Sequence, residues 1–168
     1  MFRTPILFGL VVLSLAGCGE KKPVDTNPTG QTADPKAEFA AGVKLLGDGS
    51  GTADYAGALA KFESATTVDP AFTKAWFNCG FAAERLGDLT KAKTCYGKAI
   101  ELKPDYSAAV YNLGGALTSS GKAAEAVDLY TKYIEGHPDD LEARNNLIDA
   151  YSAAGRHEEA IKAAEDVL

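Results

Sequence analysis

Residues 76–83 read Trp76-Phe77-Asn78-Cys79-Gly80-Phe81-Ala82-Ala83, and Gly87-Asp88, Ala92, Tyr96, Ala99 and Lys103-Pro104 follow. Trp76, Cys79, Gly80 and Ala83 stand at i, i+3, i+4 and i+7, which is one stripe of a helix. Gly87-Asp88 ends that helix, because glycine accepts the left-handed backbone that a helix C-terminus favours. A second helix carries Ala92, Tyr96 and Ala99 on its inner stripe. Ala92 is expected to face Gly80, letting the two backbones approach closely. Lys103-Pro104 stops the second helix, since proline removes a donor and disfavours helix in the residue before it. The unit is a helical hairpin.

The hairpin is written more than once. Pro70, Pro104 and Pro138 recur every 34 residues, as do Gly87, Gly121 and Gly155 and the column Ala58, Ala92, Ala126 and Ala160. Phe62, Tyr96 and Tyr130 keep the same register. Columns in phase over several periods mark a stack of identical supersecondary units. The pattern Trp76-x2-Cys79-Gly80 … Ala92-x3-Tyr96 … Pro104 resembles the tetratricopeptide repeat. Val110-x2-Leu113-Gly114 … Ala126-x3-Tyr130 … Pro138 is a second match, and Leu147-x3-Tyr151 … Ala160 a third. The first copy is irregular: its helix around Phe39, Gly42 and Leu45 needs three or four extra residues in the Gly47–Gly51 turn. The resemblance implies an all-α fold, a right-handed α-solenoid of about four helix–turn–helix repeats at about 35–70, 71–104, 105–138 and 139–168. It also implies a concave face lined by the first helix of each pair. Tyr133 departs from its column of Ala65, Ala99 and Val167, so the third repeat must make room for a ring. Ile161, Ala164 and Leu168 form a face that a following element would normally cover.

The N-terminus carries a different message. Met1-Phe2-Arg3 precedes an apolar run from Pro5 to Gly17, the pattern of a secretory signal and too short to span a bilayer core of ~30 Å. Leu15-Ala16-Gly17-Cys18 resembles the lipobox of bacterial lipoproteins. The resemblance implies cleavage after residue 17, a diacylglycerol on the Cys18 sulfur and an acylated (palmitate-type) amino group. More than one acyl chain gives a stable anchor where one would not. Residues 18–34 then form a tether of Pro, Gly, Thr, Asn and charges that nothing there can fold. Its reach is about 20–24 Å. The expected location is the bacterial cell envelope. Gly19 stands where Asp signals inner-membrane retention in some bacteria, which points to the periplasmic face of the outer membrane.

Seventeen basic residues against 23 acidic give a net charge of −6, a surface that repels nucleic acid. No nucleophile–base pair, phosphate loop or metal-ligand spacing is present in the sequence, so no enzyme activity, metal or cofactor is expected. Asp48, Ser50, Thr52 and Asp54 start like a calcium loop, but Leu59 falls where the closing Glu belongs. His137 and His157 read as exposed turn residues. Cys79 and Cys95 lie on inward stripes of one hairpin at similar heights. They either form a disulfide, given Cα atoms about 4.4–6.8 Å apart, or stay reduced as small apolar residues.

A second stripe on each first helix is left over. Lys74, Phe77, Asn78 and Phe81 belong to it, then Tyr111 and Asn112, then Asn145 and Asn146. Asn78, Asn112 and Asn146 recur at the 34-residue period, and amides suit the backbone of an extended peptide. The rings either supply pockets for that peptide or pack on the neighbouring repeat. The carboxylate clamp of some tetratricopeptide domains is not expected, because Glu142 and Asp149 outweigh the cations there. The expected function is a lipid-anchored protein–protein interaction module (an adaptor or assembly factor) holding a basic or neutral extended segment. The alternative is a structural lipoprotein that self-associates as a homo-oligomer through its last helix.

Overall fold

The computed structural model describes residues 33–47 and 52–166. Cys18 with the leader and most of the tether, Asp48 and Ser50 of the calcium-like loop, and Leu168 lie outside the described residues. Eight helices follow one another among the described residues: α1 Pro35–Leu46, α2 Tyr55–Val68, α3 Thr73–Arg85, α4 Leu89–Leu102, α5 Ser107–Ser119, α6 Ala123–Gly136, α7 Leu141–Ala153 and α8 His157–Glu165. Each packs on its neighbours in the chain, and α5 also touches α7. The architecture is an α-solenoid of stacked hairpins.

Local chemistry sets the ends. Asp34, Asp54, Asp88 and Asp140 cap α1, α2, α4 and α7, each side chain accepting a first-turn backbone N–H. Asp54, read as part of a cation loop, thus has a capping role on Gly57 N–H at 2.8 Å. Inside the later hairpins the turn glycines Gly87, Gly121 and Gly155 have φ of +78°, +77° and +73°, which a side chain would strain. Between hairpins, helices stop at Asp69, Lys103 and His137, each immediately before a proline.

The close approach inside each hairpin differs from the expected Ala92–Gly80 pairing. A Cβ on Gly80 would sit 2.6 Å from the Tyr96 ring, and Gly42 and Gly114 face Phe62 and Tyr130 in the same way. Glycine on the first helix makes room for a ring of the second, not for a small residue. The rings are fully buried or nearly so, as are the alanines around them.

Consecutive hairpins are joined by a second periodic contact. Phe39 lies 5.0 Å from Phe72 and Phe77 lies 5.0 Å from Tyr106, measured between ring centroids. Each pair links a first helix to the residue that begins the next one. In the third such joint Tyr111 occupies the Phe77 position and Asp140 the Tyr106 position, and a hydrogen bond replaces the ring pair.

Tyr133 is accommodated by the same joint. Its ring is edge-on to Tyr111, with centroids 6.3 Å apart and planes at 79°, and stacks on His137 at 4.2 Å. His137 is therefore half-buried and not the exposed turn residue expected; its Nδ1 also lies 3.0 Å from the Tyr133 carbonyl. His157 is exposed. On α8, Ile161 is 62% exposed, whereas its counterpart Val127 is 3% exposed beneath the next hairpin.

Candidate protein-interaction groove

The first helices α3, α5 and α7 stand side by side, and their second stripes form one face. Lys74 is exposed at one end of it, and Glu142, Asn145 and Asp149 at the other. Phe77, Asn78, Phe81, Tyr111, Asn112 and Asn146 lie between them, all half-buried.

The aromatic residues of this face are largely engaged with protein. Phe77 sits between Tyr96 at 5.7 Å and Tyr106 at 5.0 Å, so its ring holds repeat to repeat and is no open pocket. Phe81 is edge-on to Tyr55 at 6.2 Å, and Arg85 lies over the same Tyr55 ring at 5.2 Å. Tyr111 donates to the two oxygens of Asp140 at 2.7 and 2.6 Å. Of the two roles open to these rings, the geometry gives Phe77 and Tyr111 the packing role.

The asparagines divide for a reason visible in the second helices. The Tyr96 ring passes over Gly80 and its hydroxyl emerges beside α3 and α5. There it donates to Glu84 at 2.8 Å and accepts from Asn112 Nδ2 at 3.4 Å. Phe62 occupies the equivalent position beneath Gly42 and has no hydroxyl. Asn78, which would reach it, donates instead to the Lys74 carbonyl of its own helix at 2.8 Å. The 34-residue ladder therefore does not present one uniform row of amides.

Tyr130 repeats the Tyr96 arrangement over Gly114, with its hydroxyl 3.3 Å from the Tyr111 carbonyl. Burial, followed by the charges of Asp149 and Glu142, pushes its ionisation up to about 12. Tyr111 is raised as well, chiefly by burial and by its bond to Asp140, with Glu142 contributing. Exposed Glu142 and Asp149 make the α7 end of the face acidic. Among the described residues no group of three His, Cys, Asp or Glu is placed to hold a metal ion.

Asp140 is the residue that motif reading missed. It caps α7 through Ala143 N–H at 3.0 Å, binds Tyr111, and accepts from the Tyr133 hydroxyl at 3.2 Å. Its register, shared with Phe72 and Tyr106, is the one just before a first helix, where an aspartate reads as an ordinary cap.

A family model described as tetratricopeptide repeat matches residues 51–92 and 80–140, and a second of the same description matches 117–168. The chain belongs to the tetratricopeptide-repeat family. No curated protein matches it. Among solved structures, the crystal structure of MamA protein is 23% identical with a TM-score of 0.68, over 80% of this chain and 72% of that one. MamA 41-end from Desulfovibrio magneticus RS-1 is 22% identical with a TM-score of 0.64, over 79% and 73%. The first tetratricopeptide domain of Spaghetti (RPAP3), bound to the HSP90 peptide SRMEEVD, is 24% identical with a TM-score of 0.60, over 72% and 93%. These likenesses establish a shared fold. In tetratricopeptide terms, Cys79 and Cys95 face each other across the second hairpin with Cα atoms 5.8 Å apart, and the structure pairs them.

Proposed function

We propose that this tetratricopeptide chain is a non-enzymatic adaptor of the bacterial cell envelope, anchored through lipid on Cys18, whose groove holds an extended, neutral to basic segment of another protein. The observation that carries the reading is the pair of exposed carboxylates, Glu142 and Asp149, at the α7 end of the face. The Spaghetti domain, of the same fold, holds an HSP90 peptide. This face is acidic at one end, so charge complementarity selects a different partner. Exposed Asn145 and half-buried Asn146 supply hydrogen bonds to the partner's backbone. Lipid anchoring confines the domain to a layer near the membrane and raises its effective concentration there.

Titration with an extended Ser-Lys repeat octapeptide should shift the NMR signals of Glu142, Asn145, Asn146 and Asp149. The Ser-Glu counterpart should leave them in place. Reversing both charges (Glu142→Lys with Asp149→Lys) should weaken the Ser-Lys peptide by about tenfold, roughly 1.4 kcal/mol, at low salt. That difference should shrink in 1 M salt, where the screening length is about 3 Å. Equal binding of the acidic peptide would remove the charge argument.

The anchor is tested separately. Cys18→Ser should move the chain from the membrane to the soluble fraction of a bacterial host. Unchanged membrane association would overturn the lipobox reading and leave the groove untouched.

A further inference from the structure

Three equivalent positions on the first helices have different side chains: Trp76, Val110 and Arg144. The first and last do the same thing. Trp76 Nε1 donates to the Pro70 carbonyl at 2.9 Å, and Arg144 Nε donates to the Pro138 carbonyl at 2.7 Å. Each side chain folds back across the notch between its own hairpin and the preceding proline turn. Val110 is too short to do so and has no donor for Pro104.

The notch it leaves is open. A cavity of about 230 Å³ lies between α4 and α6, bounded by Ile100, Pro104, Val110, Leu129 and the stacked Tyr133 and His137. Its counterpart beside Arg144 is smaller, about 190 Å³, and has Asp166 in its wall. An apolar cavity of about 150 Å³ accepts a benzene ring. The space at Val110 is larger, almost wholly apolar, and has Lys132 at its edge. Because α4 and α6 are second helices, it opens on the side of the solenoid opposite the groove.

We propose that this notch is a second binding site, for the indole ring of a tryptophan on a partner polypeptide with an acidic group next to it. The molecule itself supplies the template. Trp76 shows that an indole at this register brings its ring N–H to the proline carbonyl, with Ala99 where the third hairpin has Tyr133. In the third hairpin the incoming ring lies against Val110, Leu129 and Tyr133 and donates to Pro104. The Lys132 ammonium meets the flanking carboxylate, which sets the partner's charge. The site opens away from the groove, touching it through the Tyr133–Tyr111 contact, so the partner engages the outer face while the groove remains available.

The probe is N-acetyl-L-tryptophan, which carries ring and carboxylate together, titrated into the full chain by NMR. Val110 methyl and Tyr133 ring signals should shift with a dissociation constant in the millimolar range. N-acetyl-L-tryptophanamide should bind severalfold more weakly and N-acetyl-L-leucine not measurably. Val110→Trp fills the notch from within and should abolish the shifts while preserving helicity. Lys132→Gln, an exposed change that leaves the core alone, should erase the preference for the carboxylate probe. No shift at saturating probe, shifts scattered over the surface, or a carboxylate preference that survives Lys132→Gln would overturn the proposal.

Discussion

Asp140→Ala lowers stability by about 3 kcal/mol, and the loss falls mainly on α7 and α8. The change removes the α7 cap, which costs about 1 kcal/mol, and leaves the Tyr111 and Tyr133 hydroxyls unpaired, at about 1–3 kcal/mol. For a domain of this size the melting temperature drops by roughly 10 °C. Solenoid hairpins contact only their neighbours, so the damage stays local. Amide exchange should quicken in α7 and α8 while α3 and α4 keep their protection. Uniform loss of protection along the chain would contradict a joint located at residue 140. Asp140→Asn retains an acceptor for the cap and should cost less than Asp140→Ala.

The same joint gives stability a window in pH. Burial works to raise the Asp140 carboxyl, but the bonds from Tyr111, Ala143 and Tyr133 outweigh it and hold the group below its ordinary 3.8. A carboxylate depressed in the folded state stabilises above its unfolded value, and that contribution is lost as pH falls through the lower folded one. Tyr111 behaves in the opposite sense: burial and its bond to Asp140 raise it above the ordinary 10.0. Its contribution is complete below pH 10 and declines as pH rises toward the folded value. Stability from this joint is therefore flat between about pH 4 and pH 10 and falls on both sides. Tyr111→Phe should flatten part of the alkaline fall, as read from denaturant midpoints at pH 9 and pH 11.

Much of this was legible in the chain, because the columns are physical statements. Gly87, Gly121 and Gly155 announce turns, the prolines announce breaks, and Ala58 to Ala160 announce close helix contacts. What the columns do not reveal is partnership. Asn78 and Asn112 look alike in register; only the change from Phe62 to Tyr96 beneath them separates their bonds. Phe77 and Tyr111 look like groove residues because a helical stripe cannot say whether the next hairpin reaches over it. His137 reads as a solvated turn until Tyr133, the one ring in a column of small residues, is seen stacked upon it. Asp140 escaped because its register marks an N-terminus, where an aspartate is unremarkable, while its second role depends on two tyrosines from other helices. Sequence periodicity fixes which faces pack; the exceptions to it decide how.

Reducing the Cys79–Cys95 pair lowers the melting temperature by roughly 10 °C, the consequence of removing about 3 kcal/mol of loop constraint. The two residues are 16 apart in sequence, so the bond ties α3 to α4 around the Gly87 turn. A cross-link over a loop of about 15 residues restricts the unfolded chain by this amount. Both side chains are buried, Cys79 at 0% and Cys95 at 3% exposure. Reduction leaves their atoms in the core as small apolar groups, so comparing oxidised with reduced protein isolates the tether from the packing. Cys79→Ala with Cys95→Ala should lose more than reduction does, because it also removes two sulfurs from a filled interior. The bond also links the fold to the proposed location, since such pairs persist in oxidising envelopes and are rare in the cytosol. Protein exported through the proposed leader should show no alkylatable thiol at residues 79 and 95 when denatured without reductant. The same chain made without residues 1–17 in a reducing cytosol should show both and melt at the lower temperature. If the exported form carries free thiols at these positions, the covalent tether is absent and the second hairpin stands on packing alone.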